Sequence, residues 1–239
     1  MATYILVHGA WHGGWCWHRI VARLERAGQR VLAPDLLALG RDRTPAGSVS
    51  LADWADQIAA LIDAQPEPVV LVGHSRGGIV LSEAAERRPA AIRVLVYVTA
   101  FLLEDGCSLQ SAAAEEPESL VGPNLIVADD QRSVRIRDEA VRDIFYGECS
   151  DEDVALARAL LVPEPTAPLG TPVRTSAANF GRVPRIYVEC TRDRAMTLRS
   201  QRRMQAALPC RDTITLDTDH SPFLSRPDDL AAALLRAAG

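Results

Sequence analysis

Val69-Val70-Leu71-Val72-Gly73-His74-Ser75-Arg76-Gly77-Gly78 is the stretch that decides the architecture. Its first four residues are apolar and mostly β-branched, as a short strand buried on both faces should be. The Gly-x-Ser-x-Gly that follows reads as a tight strand-to-helix turn, with a helix beginning just after Ser75. A serine held at so sharp a turn needs small neighbours, and Gly73, Gly77 and Gly78 supply them. The turn lifts the hydroxyl above the end of the sheet, and the helix N-terminus beneath it favours negative charge developing there. Ser75 is therefore expected to be a nucleophile and not an ordinary turn serine.

On both sides of this stretch strands and helices alternate. Upstream, residues 4–7 form an apolar β-branched run. Trp17, Ile20, Val21 and Leu24 then recur at helical spacing, and Gly28 closes that helix. Residues 31–33 read as a second strand, ended by Pro34-Asp35 and a loop rich in Arg, Gly and Pro. Ser50 with Asp53 forms a capping box that opens a helix carrying Leu51, Trp54, Ile58 and Leu61. Downstream of the turn, residues 92–98 are continuous in Val, Leu and Ile and predict a central strand. This alternation predicts an α/β fold, a mainly parallel sheet with helices on both faces.

The regular pattern stops near Glu104. From there to Phe180 the chain is acidic, Pro-rich and helical in pattern, with no strand signal. Ser150 and Asp153 cap a helix carrying Val154, Ala157, Leu160 and Leu161, and residues 163–168 read as a loop by composition. The expectation is a helical lid, residues 104–180, inserted into a core made of residues 1–103 and 181–239. Strands at residues 185–190 and 213–216, with helices over 200–208 and 227–238, complete a sheet of about six strands.

Composition bounds the function. The 239 residues suffice for one domain with an inserted lid. At 48% hydrophobic and 24% charged the chain reads as an ordinary globular enzyme. A net charge of -5 provides no basic field for nucleic acid or an anionic membrane. All 26 basic residues are arginine, which with the abundant alanine suggests a GC-rich bacterial source. Cys16, Cys107, Cys149, Cys190 and Cys210 are scattered, without a C-x-x-C pair, so free thiols in a reducing cytoplasm are expected. The N-terminus reads as a strand and not as a signal peptide, and no apolar run approaches membrane-spanning length. A cytoplasmic location is the resulting expectation. No interface signature sets an oligomeric state.

Serine is a weak nucleophile and needs a base within hydrogen-bond reach. In this strand–turn–helix context the acid and the base follow the serine in the chain. His8, His12, His18 and His74 all precede Ser75, and only His220 follows it, so His220 is the expected general base. The acid that orients the imidazole is expected at Asp193, just past the strand at 185–190. Glu104 and Asp105 are the alternative, and Asp217 and Asp219 lie too close to His220 in sequence. An oxyanion needs two preorganised donors. These are expected from the backbone N–H of Arg76 and from that of Ala10, in the small-residue loop after the first strand. A metal site on His8 and His12 would need a helix that Gly13-Gly14 disfavours, and a third ligand that is absent from the pattern.

The motifs His8-Gly9-Ala10-Trp11-His12-Gly13-Gly14-Trp15-x-Trp17, Gly73-His74-Ser75-Arg76-Gly77-Gly78, Asp151-x-Asp153-x-Ala155-Leu156-Ala157, Thr191-Arg192-Asp193 and Asp219-His220 carry a resemblance over nearly the whole chain. It resembles the plant methylesterase and hydroxynitrile lyase branch of the α/β-hydrolases, and related bacterial carboxylesterases. The resemblance implies an α/β-hydrolase fold, a Ser75–Asp193–His220 triad and an oxyanion hole from Ala10 and Arg76. It further implies a lid over an apolar pocket for a small-molecule ester, no metal and no organic cofactor. Ser221 stands where the lyases carry a lysine, and Ala10 where they carry a threonine, which disfavours cyanohydrin cleavage. A serine in place of an aspartate nucleophile disfavours haloalkane dehalogenase and epoxide hydrolase chemistry. A binding protein that has lost turnover would lack part of the triad. Trp11, His12, Phe145 and Met196 are the expected substrate contacts, Trp15 and Trp17 belong to the pocket mouth or the core, and Arg76 either attracts an anionic substrate or pairs with a lid carboxylate.

Overall fold

The computed structural model describes residues 1–239. Its main sheet has six strands, all parallel, in the order β2-β1-β3-β4-β8-β9. They are β1 (Thr3–Val7), β2 (Arg30–Leu32), β3 (Val69–Ser75), β4 (Ile92–Ala100), β8 (Arg185–Cys190) and β9 (Asp212–Leu216). The crossover helices are α1 (His18–Arg26), α2 (Leu51–Asp63), α3 (Gly77–Arg87) and α8 (Leu198–Ala207); after β9 come the short α9 (Pro222–Ser225) and the closing helix α10 (Pro227–Ala237).

Period-two alternation in the strands divides the core between the two faces of the sheet. Tyr4, Leu6, Val70, Val72, Val94 and Val96 pack on one side with Trp17, Ile20 and Leu24 of the first helical segment and Leu230 and Leu234 of α10. Ile5, Val7, Val69, Leu71, Leu95 and Tyr97 face the other, against Trp54 and Ile58 of α2 and Ile79 and Val80 of α3. Both faces are covered, which is why the strands read as unbroken apolar runs. The Ser50–Asp53 capping box is formed, and Gly28 ends α1 at a φ of 76°. Along α2, Ile62 is buried where Leu61 was expected, and Leu61 packs at the margin of the core.

Between β4 and β8 the structure departs from the expected all-helical pattern. Helices α4 (Leu109–Ala114), α5 (Val141–Phe145), α6 (Asp151–Leu160) and α7 (Ala167–Gly170) are accompanied by three short strands, β5 (Leu125–Val127), β6 (Ser133–Ile136) and β7 (Glu164–Pro165). These form an antiparallel sheet in the order β5-β6-β7. The strands are too short to display alternation, and β7 lies within the Pro-rich stretch that reads as loop. Glu164 on β7 is fully buried, an unusual place for an acidic residue. The segment returns to the core by docking on α3. Glu86 accepts from the Ser176 and Phe180 amides at 2.8 and 3.1 Å, and Glu83 from the Arg174 amide at 2.6 Å.

β3 and β4 run on to Ser75 and Ala100 because a register irregularity between His74 and Ser75 pairs Ser75 with Ala100. This brings the start of α3 close under the end of β4. A Cβ at Gly78 would meet the Phe101 carbonyl oxygen at 2.3 Å, and backbone there cannot step aside. Gly78→Ala is therefore expected to lose about 1–3 kcal/mol through overpacking, despite alanine's better helix propensity of about 1 kcal/mol. Chemical denaturation measures this; an unchanged or raised stability would contradict the packing described.

Candidate active site

The C-terminal ends of adjacent strands converge on one cavity. Its walls include Ser75 from the end of β3, His220 from the loop after β9, and Ala10 and Trp11 from the loop after β1. Ser75 has a φ of 53°, in the left-handed region that a residue with a side chain rarely occupies. The Phe101 amide donates to the Ser75 carbonyl at 3.0 Å and holds that conformation. Ser75 and His220 share the cavity wall without a direct hydrogen bond between them in this conformation. Such bonds are often long until substrate closes the site.

His220 Nδ1 donates to Asp193 Oδ2 at 2.6 Å. Asp193 is buried, and three further donors fix it: Thr99 Oγ1 at 2.5 Å on Oδ2, and the Ala195 and Met196 amides at 2.7 and 2.8 Å on Oδ1. It makes no ion pair with its neighbours. Arg192 pairs instead with Glu148 and Asp217, at the surface. The other candidate acids lie elsewhere. Glu104 and Asp105 are exposed, and Asp219 accepts from the Glu148 and Ser221 amides at 2.8 and 3.1 Å.

His74 does not line the cavity, but it has a task. Its Nε2–H donates to the His220 carbonyl at 2.8 Å, and the two rings lie 4.5 Å apart. Burial, together with the neighbouring His220 and His12, pushes the His74 pKa well below the ordinary value. His8 donates from Nδ1 to the Gly9 carbonyl at 2.8 Å and accepts the Leu36 amide on Nε2 at 3.1 Å. His12 donates from Nδ1 to the Ala10 carbonyl at 2.6 Å and accepts the Tyr146 hydroxyl on Nε2 at 2.5 Å. Burial lowers these two rings from 6.5 to about 3 and about 4 respectively. All three are neutral scaffold groups that tie the loop after β1, β3 and the His220 loop to their surroundings.

His12, expected to contact substrate, does not line the cavity. Both ring nitrogens are engaged, and the ring stacks on Trp15 behind the cavity wall. Trp11, Phe145 and Met196 do face the cavity, while Trp17 is buried in the core. The amides of Ala10 and Arg76 donate to no acceptor within the chain, and both residues line the cavity. The Arg76 side chain turns inward and pairs with Glu164, Nε to Oε1 at 2.9 Å, with both side chains buried. Of the two roles foreseen for Arg76, the contact seen is the pair with a carboxylate of the 104–180 segment. Sequence reading missed Thr99 and Glu164. A threonine closing a central strand carries no signal of its own; the one hint of Glu164 was an arginine beside Ser75 that needed a counter-charge.

The sequence profile of the alpha/beta hydrolase family matches residues 4–233. Methylesterase 18 of Arabidopsis thaliana is 32% identical over 98% of this chain and 96% of its own length. Among solved structures, the Arabidopsis methylesterase MES16 superposes with a TM-score of 0.86 at 28% identity, covering 99% of this chain and 98% of that one. A pyrethroid hydrolase from Sphingobium faniae JZ-2 superposes with a TM-score of 0.89 at 28% identity, covering 99% and 97%.

The neutral histidines set an acid limit on stability. His8 and His12 stay unprotonated in the fold down to about 3 and about 4, whereas unfolding frees them to bind protons below 6.5. Stability should be constant with respect to these groups above that pH. Below it, stability should fall by up to ~1.4 kcal/mol per pH unit for each ring until the folded value is reached. Guanidinium titrations between pH 7.5 and 4.5 read this slope, and His12→Gln should shallow it. An equal slope in both proteins would rule out the assignment of His12 as a buried neutral ring.

Proposed function

The chain belongs to the alpha/beta hydrolase family, and from that premise we propose that it is a carboxylesterase-type serine hydrolase acting on small, uncharged esters through an acyl-enzyme. Ester hydrolysis is supported by the methylesterase relatives. The finer reading rests on one observation: Ser75, at its left-handed elbow, shares a cavity wall with His220, whose Nδ1 is tied at 2.6 Å to the buried Asp193.

In this reading His220 Nε2 takes the Ser75 proton as Oγ attacks the ester carbonyl. Nδ1–H remains on Asp193, which holds the reactive tautomer and stabilises the imidazolium. The carbonyl oxygen becomes an oxyanion between the amides of Ala10 and Arg76, each such donor being worth ~2.7–4 kcal/mol to the barrier. The Arg76 amide also lies at the N-terminus of α3, where the helix dipole favours the new charge. Collapse breaks the C–O bond to the alcohol, which leaves with the proton from His220. Water, activated by the same nitrogen, then cleaves the acyl-enzyme and restores Ser75. No step calls on a metal or organic cofactor.

The 104–180 segment serves here as the lid. Val121, Phe145 and Leu169 from it, with Met196, give the cavity apolar walls suited to an uncharged acyl or alcohol group. Glu116 is the acidic group on the cavity wall and disfavours a substrate carrying its own carboxylate. Location and oligomeric state do not enter this reading; no helix is long and apolar enough to cross a membrane.

Wild-type protein is expected to hydrolyse p-nitrophenyl acetate and butyrate and to gain one phosphonyl group at Ser75 from a fluorophosphonate, read by intact mass and peptide mapping. Ser75→Ala should abolish both. Asp193→Asn should lower kcat by about 10⁴-fold if the imidazole loses its tautomer. Equal turnover by wild type and Ser75→Ala, with no label at Ser75, would overturn the proposal.

A further inference from the structure

The chemistry just described uses the backbone of Arg76 and leaves its side chain without a task, although that guanidinium is 1% exposed beside the nucleophile. Three contacts hold it: Nε donates to Glu164 Oε1 at 2.9 Å, Nη2 donates to the Gly9 carbonyl at 3.0 Å, and its Cζ lies over the Trp54 ring, 4.3 Å from the centroid. The Gly9 carbonyl belongs to the same peptide unit as the Ala10 N–H. Because that unit is planar and trans, the direction of the carbonyl sets the direction of the amide hydrogen. His8 Nδ1 grips the same oxygen at 2.8 Å. Two donors, one of them ionised, thus lock the plane of the peptide and polarise it, making its N–H a stronger donor.

The second Glu164 oxygen continues the chain of contacts. Oε2 accepts the Trp11 amide at 2.8 Å. Trp11 follows Ala10 directly and sits at a φ of 63°, a strained place for a bulky residue. Two more bonds steady it, both from the 104–180 segment: the Val162 amide donates to the Trp11 carbonyl at 2.9 Å, and Trp11 Nε1 donates to the Val134 carbonyl at 2.9 Å. The Gly9–Ala10 peptide is therefore gripped at its oxygen by Arg76 and at the next residue by Glu164, which also aims Arg76.

We propose that Glu164 and Arg76 form a positioning pair through which the lid sets the oxyanion-binding peptide Gly9–Ala10. The inference rests on the esterase reading and deepens it. It predicts that the pair acts on the transition state and leaves substrate binding nearly untouched, because the oxyanion exists only once the carbonyl has been attacked. A buried ion pair contributes little net stability, and apolar residues of similar size replace it at small cost.

The test is the double variant Arg76→Met/Glu164→Leu, with Glu164→Gln as the second variant. Measured are Tm, kcat and KM for p-nitrophenyl butyrate, and inhibition by an alkyl trifluoromethyl ketone and by the matching alkyl alcohol. The ketone adds Ser75 Oγ to form a hemiketal oxyanion, whereas the alcohol occupies the pocket without one. The folded double variant should show a lowered Tm, because Leu removes the acceptor of the buried Trp11 amide, and lose roughly ten- to hundredfold in kcat, less than removal of a donor outright. Its KM should stay within about threefold, and the ketone, not the alcohol, should weaken in proportion to kcat. Glu164→Gln, which keeps an acceptor for the Trp11 amide but leaves Arg76 unpaired, should show the same split and carries the test if the double variant does not fold. A folded variant with kcat within twofold of wild type, or equal weakening of ketone and alcohol, overturns the inference. Phosphonylation of wild-type Ser75 checks the underlying reading separately. Absence of label and turnover in wild type sinks the esterase reading, while a labelled wild type with unaffected variants sinks only the positioning role.

Discussion

At Ser75 the chain leaves a buried strand and enters a helix within a single residue, and the φ of 53° it adopts there must be held from outside. Both neighbouring strands do the holding. The end of β4 supplies the Phe101 amide to the Ser75 carbonyl. The loop after β1 packs against the elbow so closely that a Cβ at Gly9 would meet His74 Nδ1 at 2.7 Å and Ser75 Cβ at 3.0 Å. The strand order β1-β3-β4-β8 then accounts for the rest of the site. Ala10 follows β1, Thr99 lies near the end of β4 and Asp193 follows β8, so residues far apart in sequence come from the same ends of adjacent parallel strands. A ligand crevice at the carboxyl ends of strands is the general outcome of such open sheets.

The polar groups around the elbow are buried, and each has little freedom. His8, His12 and His74 are kept neutral by desolvation, so each ring offers one donor and one acceptor. His8 and His12 use both nitrogens, and His74 spends its Nε2–H on the His220 carbonyl. The buried charges are handled differently. Asp193 is matched by four donors, and Glu164 is matched by Arg76 and the Trp11 amide. Burial raises the Glu164 carboxyl, and Arg76 opposes that shift. A charge left unpaired at this depth would cost several kcal/mol, which is why both carboxylates are matched by donors, while Arg76 Nη1 and His74 Nδ1 have no hydrogen-bond partner within the chain.

Much of this was legible in the sequence. The six-stranded parallel sheet follows from buried runs alternating with amphipathic helices, and the boundaries move by one to three residues where register or capping decides them. His220 was identified by being the only histidine after Ser75, and Asp193 by its place beyond a strand. The segment between β4 and β8 was the least legible. Strands of three, four and two residues show no period, and all three residues of β5 are exposed besides. Residues 163–168, Glu164 among them, read as a loop by composition, and His12 was expected to contact substrate but does not line the cavity. Local composition says nothing about which polar groups the fold will bury together.

The sequence by itself determined the order of strands and helices, the strained serine turn and the chain positions of His220 and Asp193. These are local properties, written in spacing, branching and the small size of glycine. Only the tertiary structure decided that Asp193 reaches His220, that Thr99 steadies it, and that Arg76 beside the nucleophile meets Glu164 from 88 residues away. The reason is physical. A buried polar group is stable only with its partner in place, and that partner is supplied by whichever strand end or loop the packed sheet brings alongside. The Ser75 turn is thus a statement of the local chain, while the contacts of the Gly9–Ala10 peptide beside it depend on Arg76 and on a carboxylate that the fold alone delivers.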